Sequence, residues 1–166
     1  MASDFKLEGD EKVRALLKGL DNSLNKKIIE GTLRVSARPL VKRARDLAPV
    51  GPTGNLKKSI GIFVSRSSDR KANLKAGLWV GPRIRGKNKG YHAHMIEFGT
   101  EERRPKNGRF LVFEYNGVLV FAKKAKGMQP NPFMQPAYEQ TKGQVANGIF
   151  DNIEKIFLRE VKKAKR

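Results

Sequence analysis

The sequence predicts an α+β fold in which a small antiparallel sheet of two hairpins, about four strands, packs against a long N-terminal helix and a C-terminal helix. Three observations predict it. Apolar residues recur at helical spacing over residues 10–47 and again over 134–161. The chain between them alternates or runs apolar over strand lengths. An Asn116-Gly117 pair separates two of those runs, and a type I′ turn needs positive φ at both central residues.

The N-terminal pattern is Val13, Leu16, Leu17, Leu20, Leu24 and Ile28, then Leu33, Ala37, Leu40, Val41, Ala44 and Leu47. Gly31 and Pro39 interrupt it, and an interior proline removes a backbone donor, so two segments or one kinked rod are expected. Arg34, Arg38, Lys42 and Arg45 form a basic stripe on the opposite face. The rod ends in the proline- and glycine-rich run 48–54, after which Thr53 or Asn55 caps a one-turn helix ending at Ser59. Ile60, Ile62 and Val64 form one strand and Leu74, Ala76, Leu78 and Val80 a second, joined by the polar loop 66–73.

A basic loop, 82–90, carries Arg83, Arg85, Lys87 and Lys89, and a short apolar segment follows until Gly99-Thr100. A second basic loop, 100–109, carries Arg103, Arg104, Lys106 and Arg109. Residues 110–115 and 118–121 then form the Asn-Gly hairpin, apolar at nearly every position, with Glu114 the one charge inside it. Such a hairpin needs cover on both faces, and the helices suffice for one. Its second face is therefore expected to meet another subunit, with Phe110, Val112, Val118 and Val120 as interface candidates. Pro136 suits the first turn of the last helix, whose apolar stripe is Met134, Tyr138, Thr141, Val145, Ile149, Ile153 and Phe157. No internal repeat is present. Residues 1–166 read as a single domain with a flexible N-terminus, 1–9, and a basic tail, 162–166.

Composition narrows the function. The 166 residues hold 35 Lys and Arg against 16 Asp and Glu, a net charge of +19, yet 39% are apolar, enough for a core rather than a disordered basic tail. Zero cysteines exclude disulfide scaffolds, thiolate zinc sites and thiol catalysis. No signal-like apolar region or spanning stretch of ~20 residues occurs, so a soluble, cytoplasmically made product with no membrane partner is expected. The charge points to polyanionic partners.

Catalytic and cofactor motifs fail on inspection. Residues 81–87 have the G-x-x-x-x-G-K spacing of a phosphate loop, but Asn88 stands where a Ser or Thr must reach magnesium, Pro82 removes a donor and no helix pattern follows. His92, His94 and Glu97 cannot all share one face of a helix or strand, so a metal site lacks its third ligand. Glu160 and Lys162 have a nuclease-like spacing without an upstream Asp on a strand. No acid/base pair or nucleophile elbow is present, so neither an enzyme nor a cofactor is expected. The aromatics sit in apolar runs rather than on a stacking sheet, which argues against base readout and leaves non-specific phosphate attraction.

Three patches in order resemble a known family. Residues 48–60, APVGPTGNLKKSI, look like its segment of A-P, T-G-x-L and S-I; residues 91–100, YHAHMIEFGT, look like its Y-A-x-x-x-E-F-G-T segment with His92 inserted; residues 131–137, NPFMQPA, look like its P-F-x-x-P-A segment. The family is the neck or tail-completion (minor tail) proteins of tailed bacteriophages. Its matched positions Pro49, Gly54, Glu97, Gly99, Thr100, Pro132, Phe133 and Pro136 are structural in character. The two basic loops look longer and more basic than the family core requires, so the resemblance assigns them no role; on their charge alone, their cations are candidates for facing DNA or partners.

The resemblance implies a non-enzymatic virion protein at the head–tail junction, assembled in the bacterial host cytoplasm. It would form a homo-oligomeric ring, a hexamer from the sixfold symmetry usual in such tails or else a dodecamer, around the DNA path. Connector, tail-terminator or tail-tube proteins and other neck proteins would be its neighbours. The alternative is a non-specific nucleic-acid-binding protein. A domain of this length is about 40 Å across, so a ring's bore spans about 24 phosphate charges at one per ~1.7 Å. Six copies would bring six times +19, so much of the charge is expected to face acidic surfaces of neighbouring proteins.

Overall fold

The computed structural model describes residues 22–64 and 77–164, together with Lys18 and Leu20. The expected flexible N-terminus, the first helical residues 10–17, the loop 66–73 and the strand positions Leu74 and Ala76 lie outside them. In order come α1 (Asn22–Ser36), α2 (Arg38–Leu47), α3 (Asn55–Ser59), β1 (Ile60–Val64), β2 (Leu78–Pro82), α4 (Ala93–Phe98), β3 (Leu111–Tyr115), β4 (Val118–Ala122) and α5 (Met134–Ala164). The class is α+β, as the sequence predicts. The four strands form two separate two-stranded antiparallel sheets, β1–β2 and β3–β4, rather than one.

The N-terminal rod breaks at Ala37, two residues before Pro39, which stands in the first turn of α2 and has no N–H to donate to the turn before it. Gly31 does not break it. This glycine sits inside α1, where a Cβ would lie 3.3 Å from Ile156 Cγ2, so its role is close helix packing. The short α3 is entered through Gly54 at φ 61°, a left-handed residue whose carbonyl accepts from Lys58 N at 3.2 Å, and Thr53, one residue earlier, accepts from Asn55 N through its Oγ1 at 3.4 Å. A glycine tolerates that φ where other residues are strained.

Helix α5 has 31 residues and is about 46 Å long at 1.5 Å per residue. It runs along both α1 and α2. One core forms where its first turns meet α2, α3 and β1: Val41, Ala44, Leu56, Ile60, Ala93, Phe133 and Ala137 are buried together. A second joins α1 to its later turns through Ile28, Ile153 and Ile156. Between them the helices approach through small residues, with Gly148 facing Ser36 and Asn152 Nδ2 donating to Gly148 O at 2.6 Å.

The buried line of α5 therefore runs Ala137, Thr141, Ile153, Ile156, with Phe133 just before the helix and Gly148 half-buried between. Tyr138, expected on the apolar stripe, is 52% exposed. In the β1–β2 sheet, Ile60, Ile62 and Val80 face the helices, while Phe63 and Trp79 pair across the outer face. Arg45 of the basic stripe ties α2 to this sheet, donating from Nε and Nη2 to Ile60 O at 3.1 and 2.7 Å.

Candidate functional site

The segment between α4 and α5 forms a β-arm. At its root Gly99 takes φ 74°, Thr100 N donates to Met128 O at 2.9 Å, and Met128 N donates to Thr100 Oγ1 at 3.0 Å. Arg103 and Ala125 exchange both backbone hydrogen bonds at 2.9 and 2.8 Å. Gly127 lets the two sides close, because a Cβ there would collide with Thr100 O. Glu102 bridges the sides, 3.0 Å from Arg104 Nε and 2.9 Å from Lys124 Nζ. Hydrogen bonding to Lys124, then to Arg104, holds its carboxyl below the usual carboxylate range.

Beyond this stem stands the β3–β4 hairpin, turned by Asn116 at φ 52° and Gly117 at φ 77°. Leu111, Phe113, Tyr115, Val118, Val120 and Ala122 share one face, and Val112, Glu114, Leu119 and Phe121 the other. Helices were expected to cover one of these faces, but neither strand packs extensively on another element. The reason is the long stem, which carries the hairpin away from the helices. Exposure runs from 45% for Phe113 to 66% for Tyr115, with Val112, Val118, Leu119 and Phe121 near 60%. The interface candidates thus fall on both faces: Val118 and Val120 on the first, Val112 on the second, with Phe110 exposed just before β3.

Glu97 joins the arm's root to the body. Its Oε2 accepts from Phe133 N at 2.9 Å and Met134 N at 3.0 Å, and its Oε1 from Gln135 N at 3.0 Å. The first intrahelical bond of α5 is Ala137 N to Phe133 O, so four amides at this end lack helical acceptors. Glu97 takes three, and the fourth position is Pro136, which has none. A carboxylate here also complements the helix dipole. Asn131 N donating to Ile96 O at 2.8 Å completes the junction. The motif residues thereby acquire physical roles: Glu97 caps, Phe133 anchors the core, Gly99 and Thr100 open the arm.

The three family-like patches converge on one cleft of about 400 Å³. Pro49, Val50, Thr53 and Leu56 come from the first, His92 and Ile96 from the second, and Asn131 from the third, with Met128 and Gln129 from the arm's root. No Lys, Arg, Asp or Glu lines it. Among the described residues no cluster of His, Cys, Asp and Glu is placed to hold a metal. Glu97 is occupied by the helix, His92 packs edge-on against Tyr91, and His94 is exposed.

The basic candidates lie on two elements. Arg83, Arg85, Lys87 and Lys89 are exposed on a loop closed by Gly90 N donating to Arg83 O at 2.7 Å. Arg83 extends the β1–β2 ladder through its N–H to Ser59 O, and its guanidinium sits 5.3 Å from the centre of the Phe63 ring. Arg103, Arg104, Lys106 and Arg109 are exposed along the arm. No hydrogen bond or ion pair among the described residues joins the two groups.

Neither the cleft nor the stem pairing was legible in the sequence. The lack of a side-chain cap beside Phe133 was the one signal that a distant carboxylate was needed.

An apolar arm, an uncharged cleft at its root and exposed cations define a chain built to contact other macromolecules, an assembly component. Residues 11–99 match the family described as "Bacteriophage HK97-gp10, putative tail-component", and the chain belongs to this HK97-gp10-like family. Membership makes it a phage tail component and hence a virion part, and supports a structural role in the tail or neck. Searches of curated proteins and of solved structures return no match. No helix among the described residues is long and apolar enough to cross a membrane.

Proposed function

We propose that the protein is a non-enzymatic, single-domain subunit of the phage neck that completes the tail, assembling as a ring that joins tail to head around the DNA path. The observation that carries this reading is the β-arm, whose hairpin leaves both apolar faces open to solvent. Monomeric proteins rarely expose contiguous apolar area of that extent, and such patches mark interaction sites. Ring closure by repeated copies gives the hairpin its cover, with six copies favoured and twelve the alternative.

Arg83, Arg85, Lys87 and Lys89, together with Arg103, Arg104, Lys106 and Arg109, then face either DNA in the bore or acidic surfaces of connector, terminator or tube proteins. The cations carry no base-reading arrangement, so contact with DNA is non-specific and salt-dependent.

The test is capture by purified tails combined with duplex affinity measured against salt. Ring-shaped particles in negative stain that join to tails support the reading. A monomer that binds duplex with a steep salt slope and ignores tails overturns it in favour of a non-specific nucleic-acid binder.

A further inference from the structure

Building on the ring reading, we infer that the arm tip of one copy docks in the uncharged cleft at the arm root of the next copy. Two regions of this strongly basic chain are free of cations. Residues 110–122 hold no Lys or Arg and one acid, Glu114, in a chain of which 31% is charged. None of the eleven described residues lining the cleft is charged either.

Two copies at +19 repel each other wherever their basic surfaces meet. They touch without that cost at the tip and the cleft. An acidic partner would instead be drawn to the basic loops, so the tip's lack of cations favours a second copy of this chain.

The sizes agree at the level of side chains. A cleft of about 400 Å³ has room for side chains at the turn end of the hairpin, where Tyr115, Val118 and Leu119 are 66%, 63% and 62% exposed. The cleft's own rim is apolar and open, with Val50 71% and Met128 44% exposed.

Geometry excludes self-docking. Met128 and Gln129 of the cleft belong to the arm's root, so a copy's own tip is held away by the length of its arm. Donor and acceptor lie at opposite ends of one element, which makes the contact head-to-tail. Contacts of that kind repeat in one direction, closing into a ring where the rotation between copies closes and running on as an open filament where it does not.

The chain lacks native cysteine, so engineered thiols report the contact directly. Leu119 and Val50 are both well exposed, and their replacement leaves the buried cores intact. Under mild oxidation, mixing Leu119→Cys protein with Val50→Cys protein is expected to give a crosslinked dimer, and the double variant a ladder of covalent oligomers. Light scattering on the same samples separates the failures. Oligomers that form no ladder, or Leu119→Cys protein that crosslinks to itself, overturn the docking and leave the ring reading standing. A single-chain mass at every concentration, with no crosslink, overturns both.

Discussion

Glu97 does the work of a local cap from 36 residues away. A Ser or Asp beside the helix normally accepts one or two of the free amides. Here one carboxylate accepts three, and Pro136 removes the fourth donor by its chemistry. Replacing Glu97 with Ala strands those amides at a half-buried junction and is expected to cost about 2–4 kcal/mol, measured by urea unfolding; Glu97→Gln, which keeps the acceptor oxygen but loses the charge, should fall between. Equal stability of Ala and wild type would show that solvent satisfies this end. Phe133→Ala removes the largest fully buried side chain among the described residues and is expected to cost about 3–5 kcal/mol.

At the scale of elements, legibility follows the range of the interactions. The Asn116-Gly117 turn was readable because its φ requirement lies within two residues, and α5 because its period repeats over many turns. What escaped was long-range or small. The break between α1 and α2 falls at Ala37 rather than at the residues that mark it, and Gly148 and Ser36 carry no hydrophobic signal although they set how closely α1 and α5 pack. Tyr138 carries such a signal and faces solvent. The stem that lifts the hairpin off the body rests on backbone bonds 22–28 residues apart in sequence, and it closes because Gly99 and Gly127 have no Cβ to collide with the facing backbone. An uncovered two-stranded hairpin is marginal by itself, so amides of residues 111–122 in the isolated subunit are expected to exchange well before those of α5, read by hydrogen–deuterium exchange. Gly127→Ala should speed arm exchange further while leaving the urea midpoint of the helical body nearly unchanged. Acid acts on the same stem. Because the Glu102 pKa is lowered in the folded arm, its contribution is complete above the ordinary value of 4.5 and is lost as pH falls through the lower folded value. Arm exchange, corrected for intrinsic rates, should therefore rise as pH drops below about 4.5.

For the whole molecule, two cores along α5 hold the helical body together, and the arm reaches out from where Glu97 ties the start of α5 to the strand stem. In the proposed ring, the charge of +19 sets repulsion of the basic surfaces against burial of the cation-free tip. Added salt screens the first and spares the second, so assembly should strengthen from about 0.05 to 0.5 M salt while any duplex binding weakens. Those opposite slopes separate assembly from nucleic-acid binding within one titration. The most direct measurement is particle mass by light scattering or sedimentation, for wild type and for Phe121→Asp, whose charge sits on the exposed tip. A ring closed through the arm predicts a wild-type mass six, or twelve, times the 18.7 kDa chain and a single-chain mass for the variant. Wild-type protein that stays at 18.7 kDa across concentration and salt, or a Phe121→Asp variant that assembles as fully as wild type, would contradict it.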